Sequence, residues 1–154
     1  MLLLKRALLT AAGSILISTA ASAAPQPVAP KLTPRLRGLL VSEMVSVRTA
    51  AHGILDGLVN GDDASVAMLA QRVHDSFIME RSMTPRDRKD LEAALPKEFV
   101  AMDQSFHATA GQLAEAARAH ERASEHVLFD RMTATCSACH SRFATDVFKG
   151  FAPK

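Results

Sequence analysis

Apolar positions recur along most of the chain at steps of three and four, the period of a helix face rather than the alternation of a strand. Leu40, Met44, Val47, Ala51, Ile54 or Leu55, and Leu58 form the first stripe, entered through Thr33-Pro34 and closed at Asn60-Gly61. Thr before Pro suits an N-cap followed by the first helical position, and Gly best accepts the left-handed turn beyond a helix. A second stripe runs Val66, Leu69 or Ala70, Val73 and Phe77, with Asp62 or Asp63 able to cap it. Pro96 opens a third, through Phe99, Met102, Phe106, Ala110, Leu113 and Ala117. A fourth passes Leu128, Met132, Thr135 or Cys136, Cys139 and Phe143. No Gly or Pro lies between Gly111 and Gly150, so the break between the last two stripes is weakly marked and falls near His120 to Ala123. Arg81 to Lys89 interrupts the pattern, and Thr84-Pro85-Arg86-Asp87 has the make-up of a capping box that starts a short helical piece. The pattern predicts an all-α fold, an antiparallel four-helix bundle with helices of about 20 residues, each roughly 30 Å long.

The first 23 residues have a different character. Lys5 and Arg6 precede an apolar run from Ala7 to about Ala20, and Ala21-Ser22-Ala23 has the small-x-small form of a signal cleavage site. The run falls short of the roughly 20 continuous apolar residues that a membrane span needs. The expected organisation is a signal peptide over 1–23, an extended linker over 24–32 carrying Pro25, Pro27 and Pro30, and a bundle domain over 33–154. A bacterial periplasm is the expected destination, with no membrane span left after cleavage. With Lys5 and Arg6 removed, the 18 basic side chains fall by two and match the 16 acidic ones. Nothing in that balance calls for nucleic acid or an anionic membrane. An apolar content of 48% is too high for disorder, and 5% aromatic content with no Trp or Tyr favours helices over a sandwich. Two cysteines are too few for a disulfide scaffold.

Those two cysteines carry the sharpest signal. Cys136-Ser137-Ala138-Cys139-His140 is C-x-x-C-H, the attachment pattern of c-type haem. On a helix, Cys136 and Cys139 are i and i+3 and share a face, so each sulfur can form a thioether with a haem vinyl group. His140, at i+4 from Cys136, brings an imidazole to the iron from the same side. Export fits, because such attachment takes place outside the cytoplasm. Three other readings compete. A redox dithiol is expected near a βαβ pattern, which is missing here. A zinc site needs further Cys or His at finger-like spacing, and there is no third cysteine. A chance pentapeptide is the third.

The motif stands on the last helix, and here the chain resembles the class II c-type cytochromes, the cytochrome c prime group and its low-spin relatives. The resemblance covers the helix layout of the chain beyond the leader, and in residues it is specific around Thr135 to Phe143. It implies one covalently attached haem c, with Cys136 and Cys139 as thioether sites and His140 as the proximal iron ligand. Class I cytochromes instead carry the motif early and a Met well downstream; only 14 residues follow His140, and none is Met. Many members have an aromatic then a basic residue after the motif, whereas here Arg142 precedes Phe143 and Ala144 takes the basic place. The resemblance puts the distal residue on the first helix, where Met44 is the expected sixth ligand with Val45 as its neighbour in register. A Met gives a low-spin electron carrier, and an apolar residue leaves five-coordinate iron that binds nitric oxide or carbon monoxide. Members often pair through their first two helices, which makes a homodimer an expectation.

The resulting expectation is a periplasmic monohaem cytochrome passing single electrons between redox partner proteins. An electron carrier rather than an enzyme is expected, with a weak peroxidase-like activity at an open iron as a further alternative; that activity calls for a distal His or Arg, and no position can be argued to supply one. His52, His74, His107, His120 and His126 read as surface or boundary residues, with His52, two turns beyond Met44, the first to examine. Arg35, Arg37 and Arg48 are candidates for pairing with haem propionates, or an ordinary solvated face. Arg81, Arg86, Arg88 and Lys89 are either a docking patch for an acidic partner or a charged loop.

Overall fold

The structure is a computed structural model that describes residues 24–76 and 82–152. The expected leader, Phe77 and Arg81 lie outside those residues. Within them the chain is all-helical: α1 (Pro34–Asn60), α2 (Asp63–His74), α3 (Pro85–Ala94), α4 (Lys97–Arg118) and α5 (Arg122–Phe143), with 3-10 turns at Ala29–Lys31 and Lys149–Phe151. No described helix is long and apolar enough to cross a membrane.

Local chemistry sets most of the boundaries. Thr33 Oγ1 accepts from the Leu36 N–H at 3.3 Å, with Pro34 in the first turn. Gly61 ends α1 at φ 69°, and Asp62 caps α2 by accepting from the Ser65 N–H at 3.0 Å. At α3 the capping box is complete: Thr84 Oγ1 accepts from the Asp87 N–H, and Asp87 Oδ2 accepts from the Thr84 N–H. The α4–α5 turn falls where expected, but His120 rather than Gly takes the left-handed conformation, at φ 57°. Its Nδ1–H donates to Asp63 Oδ2 at 2.7 Å, a hydrogen bond that helps hold a backbone most side chains avoid.

Packing follows chain order. α2 lies between α1 and α4, and α5 closes on α4 with lighter contact to α1. Two departures from the sequence expectation matter for the site. First, α2 has 12 residues rather than about 20, so it covers about 18 Å of an α1 that runs about 40 Å. Second, the buried face of α1 is Leu36, Glu43, Val47, Ala50, Ile54 and Gly57, turned from the expected stripe. The glycines explain the turn. A Cβ on Gly57 would lie 2.8 Å from Val66 Cγ2, and one on Gly53 would lie 2.6 Å from Leu69 Cδ1. α2 therefore sits tight against the glycine side, and the buried centre moves toward it.

The level at which α2 stops is fixed by two reciprocal bonds. His74 Nδ1–H donates to the His107 carbonyl at 2.9 Å, and His107 Nδ1–H donates to the Val73 carbonyl at 2.7 Å. Everything in α4 before His107 projects beyond the end of α2. The far end of α5 reaches the same region, since Arg142 pairs with Glu98 and the Phe99 and Phe143 rings meet edge to face at 5.4 Å. The segment expected as an extended linker instead turns through 3-10 geometry at Ala29–Lys31 and is docked on the bundle. Gln26 N–H and Val28 N–H donate to the Arg142 and Phe143 carbonyls, and Val28 and Leu32 are buried.

Candidate functional site

Cys136, Cys139 and His140 lie in one uninterrupted helix, on the face shared by Met132 and Phe143. Those two are buried, 2% and 1% exposed, while the three motif residues between them are only half-buried. The facing walls behave alike. On α4, Ala110, Leu113, Ala114 and Ala117 are buried, whereas Phe99, Met102, Asp103 and Phe106, nearer the helix start, are half-buried. Leu40 of α1 is half-buried too. Among the described residues this stretch lies beyond the level of His74, where α2 ends. Below it, Phe143, Leu36, Leu32 and Val28 close the floor.

Electrostatics favours neutral donors in this stretch. Burial pushes the Cys136 thiol up, and burial with the nearby Asp103 and Cys136 pushes Cys139 up to about 11. Burial also lowers the pKa of His140, favouring the neutral imidazole that a metal needs. Both cysteines are free. Among the described residues no three His, Cys, Asp or Glu side chains converge where a lone metal ion would sit, the motif's own three included.

Met44 is 38% exposed, beside buried Glu43 at 6% and buried Val47. Nine residues separate it from Gly53, half a rotation of the helix, so it stands on the flank of α1 turned away from α2. Arg35 and Arg37 serve the fold. Arg35 Nε donates to Asp87 Oδ2 at 3.1 Å and its Nη2 to the Ser82 carbonyl at 2.8 Å, tying α3 to the start of α1. Arg37 Nε donates to the Ala29 carbonyl at 3.0 Å. Arg48, Arg86, Arg88 and Lys89 are exposed, with Arg86 3.8 Å from Asp90. His52 and His126 are exposed as expected, but His107, 4% exposed, is a core residue, held there by its bond to the end of α2.

Two residues near the motif escaped the sequence reading. Asp103, its carboxyl pKa raised by burial, lies 3.7 Å from His107 Nε2. Their i, i+4 spacing was a signal available in the sequence. Phe148 gave none: its ring stacks on His140 with centroids 4.2 Å apart and planes 16° from parallel. No protein-family model, curated protein or solved structure matches the chain. The functional reading therefore rests on these residues and their placement.

Proposed function

We propose that the chain is an exported monohaem cytochrome of the class II c type, carrying single electrons between partner proteins in a bacterial periplasm. The observation that carries this reading is the C-x-x-C-H sequence seated on the inner face of α5 where core burial lapses. A bundle that closes tightly elsewhere leaves half-buried apolar walls beside two thiols and a neutral imidazole, a donor set and lining that fit haem c. Cys136 and Cys139 would hold the group: each S–H adds across a vinyl double bond, sulfur to one carbon and hydrogen to the other, with no oxidant consumed. His140 would supply the proximal nitrogen. The iron, once bound, supplies one-electron exchange, and the chain's part is to hold it, fix its ligands and exclude water.

Competing motif chemistries are less well served. A dithiol that exchanges disulfides needs a thiolate of lowered pKa, and both thiols here are shifted the other way. A structural zinc site needs four converging donors.

The sixth position falls to Met44 in this reading, from the flank of α1 opposite α2, where a bundle closes onto its last helix. His/Met ligation keeps iron low-spin and raises its potential, which suits a carrier. The exposure of Met44 favours a second reading, a five-coordinate iron that binds nitric oxide or carbon monoxide. Expression in a host competent for haem attachment tests both. The expected product stains for haem on a denaturing gel, and Cys136→Ala/Cys139→Ala abolishes the stain. A low-spin spectrum that Met44→Ala converts to high-spin supports the carrier. A high-spin wild type that takes up carbon monoxide readily selects the gas binder, and colourless folded protein overturns both.

A further inference from the structure

The chain turns sharply after α5, and the turn delivers an aromatic ring to the motif histidine. Phe148 lies eight residues beyond His140, which along a continuing helix would carry it about 12 Å away. Instead the Val147 and Phe148 N–H groups both donate to the Ala144 carbonyl, at 3.0 and 2.9 Å, and the Phe151 N–H donates to the Phe148 carbonyl at 3.0 Å. Buried Thr145 anchors this reversal against the bundle. Phe148 is thus placed by bonded backbone, and its ring lies flat on the imidazole at 4.2 Å.

We propose that Phe148 is a positioning residue for His140, fixing the rotation of the imidazole about its bond to the iron; the inference rests on the haem reading above. A histidine ligand binds through the edge of its ring, so a neighbour stacked on a face leaves the ligating nitrogen clear. It removes the ring's freedom to turn. For most metal-bound histidines a hydrogen bond to the other ring nitrogen performs this orientation. Here the stacked ring performs it, and near-parallel stacking specifies a plane that a single hydrogen bond leaves looser. The plane of the imidazole relative to the macrocycle sets the splitting of the iron d orbitals, so its loss is visible in the paramagnetic spectrum of the oxidised protein. Phe148 is 43% exposed, so its removal opens no sealed cavity in the core.

The test is electron paramagnetic resonance of the oxidised, haem-loaded protein at low temperature, with circular dichroism as the check on folding. Wild type is expected to give one sharp set of g values. Phe148→Ala is expected to shift and broaden them into several species with helicity unchanged. Phe148→Tyr, which keeps the flat ring, restores the wild-type set, and Val147→Ala, at an exposed neighbour, leaves it untouched. An unaltered spectrum from haem-loaded Phe148→Ala overturns the positioning role while leaving the cytochrome reading intact. So does a shift that Tyr fails to restore. Wild type without haem overturns both.

Discussion

The two ends of the bundle are built from different side chains and reach different densities. At one end α1, α2, α4 and α5 meet through Ala50, Ala67, Ala70, Ala110, Ala114 and Ala117, with Ile54, Val66 and Leu113 filling between them. Gly57 and Gly111 admit neighbouring side chains so closely that a Cβ on Gly111 would fall 2.9 Å from His74 Nδ1. Toward the other end, above the buried floor of Phe143, Leu36, Leu32 and Val28, the inward residues Leu40, Phe99, Met102 and Phe106 are larger yet stay half-buried. Bigger side chains there do not make a denser core: they lie beyond His74, where α2 ends, while the small residues of the dense end lie alongside it. The proposed haem reading draws on that contrast, since small-molecule pockets are lined mostly by apolar side chains.

Cutting core leucines at each end gives the largest expected contrast. In the haem-free Cys136→Ala/Cys139→Ala chain, Leu113→Ala should cost about 3 kcal/mol, as for a sealed core position. Leu40→Ala should cost about half as much, since Leu40 is only half-buried. Urea denaturation measures both, and equal losses would erase the distinction between the ends. A subtler contrast lies within α1. Gly57→Ala forces a methyl onto Val66 and the Asp62 carbonyl, for a net loss of about 1 kcal/mol or more. Gly38→Ala meets nothing within 4 Å and should gain up to about 1 kcal/mol from helix propensity. The same substitution with the same sign at both sites would show that α2 does not press on α1 as described.

The smallest effect concerns Glu125, buried in the first turn of α5 at the dense end, with Oε1 lacking a hydrogen-bond partner. Burial, and then the neighbouring Asp63, raise its carboxyl above the usual value of 4.5. The folded chain therefore holds that proton more tightly than the unfolded one. The stabilisation is complete below the unfolded pKa and is lost as pH rises through the raised folded value. Glu125→Gln keeps the shape without the charge, so its melting temperature relative to wild type should climb from about pH 5 to about pH 8. A flat difference would mean that Glu125 ionises freely.

What the sequence disclosed follows the range of each interaction. Thr33, Asn60-Gly61 and Thr84–Asp87 were legible because a cap is settled within four residues. The motif's face was legible because i, i+3, i+4 geometry needs no partner. The register of α1 was not, because hydrophobic periodicity counts Met44 and Leu58 but is blind to glycines that draw another helix near. Glu43, His107 and Glu125 were missed for a related reason: a polar residue reads as surface until the fold provides a carbonyl or a charge to bury it against. Phe148 depended on a chain reversal after Phe143 that no Gly or Pro announces before Gly150.

The clasp formed by Gln26 and Val28 on the last carbonyls of α5 has a consequence for the order of assembly. It joins segments more than a hundred residues apart, so closing it carries a heavier loop entropy than either helical hairpin. The α1–α2 and α4–α5 hairpins, each joined by a few residues, come together sooner. During that interval the floor beneath the motif is still unmade, and Cys136 and Cys139 are less covered than after the clasp shuts.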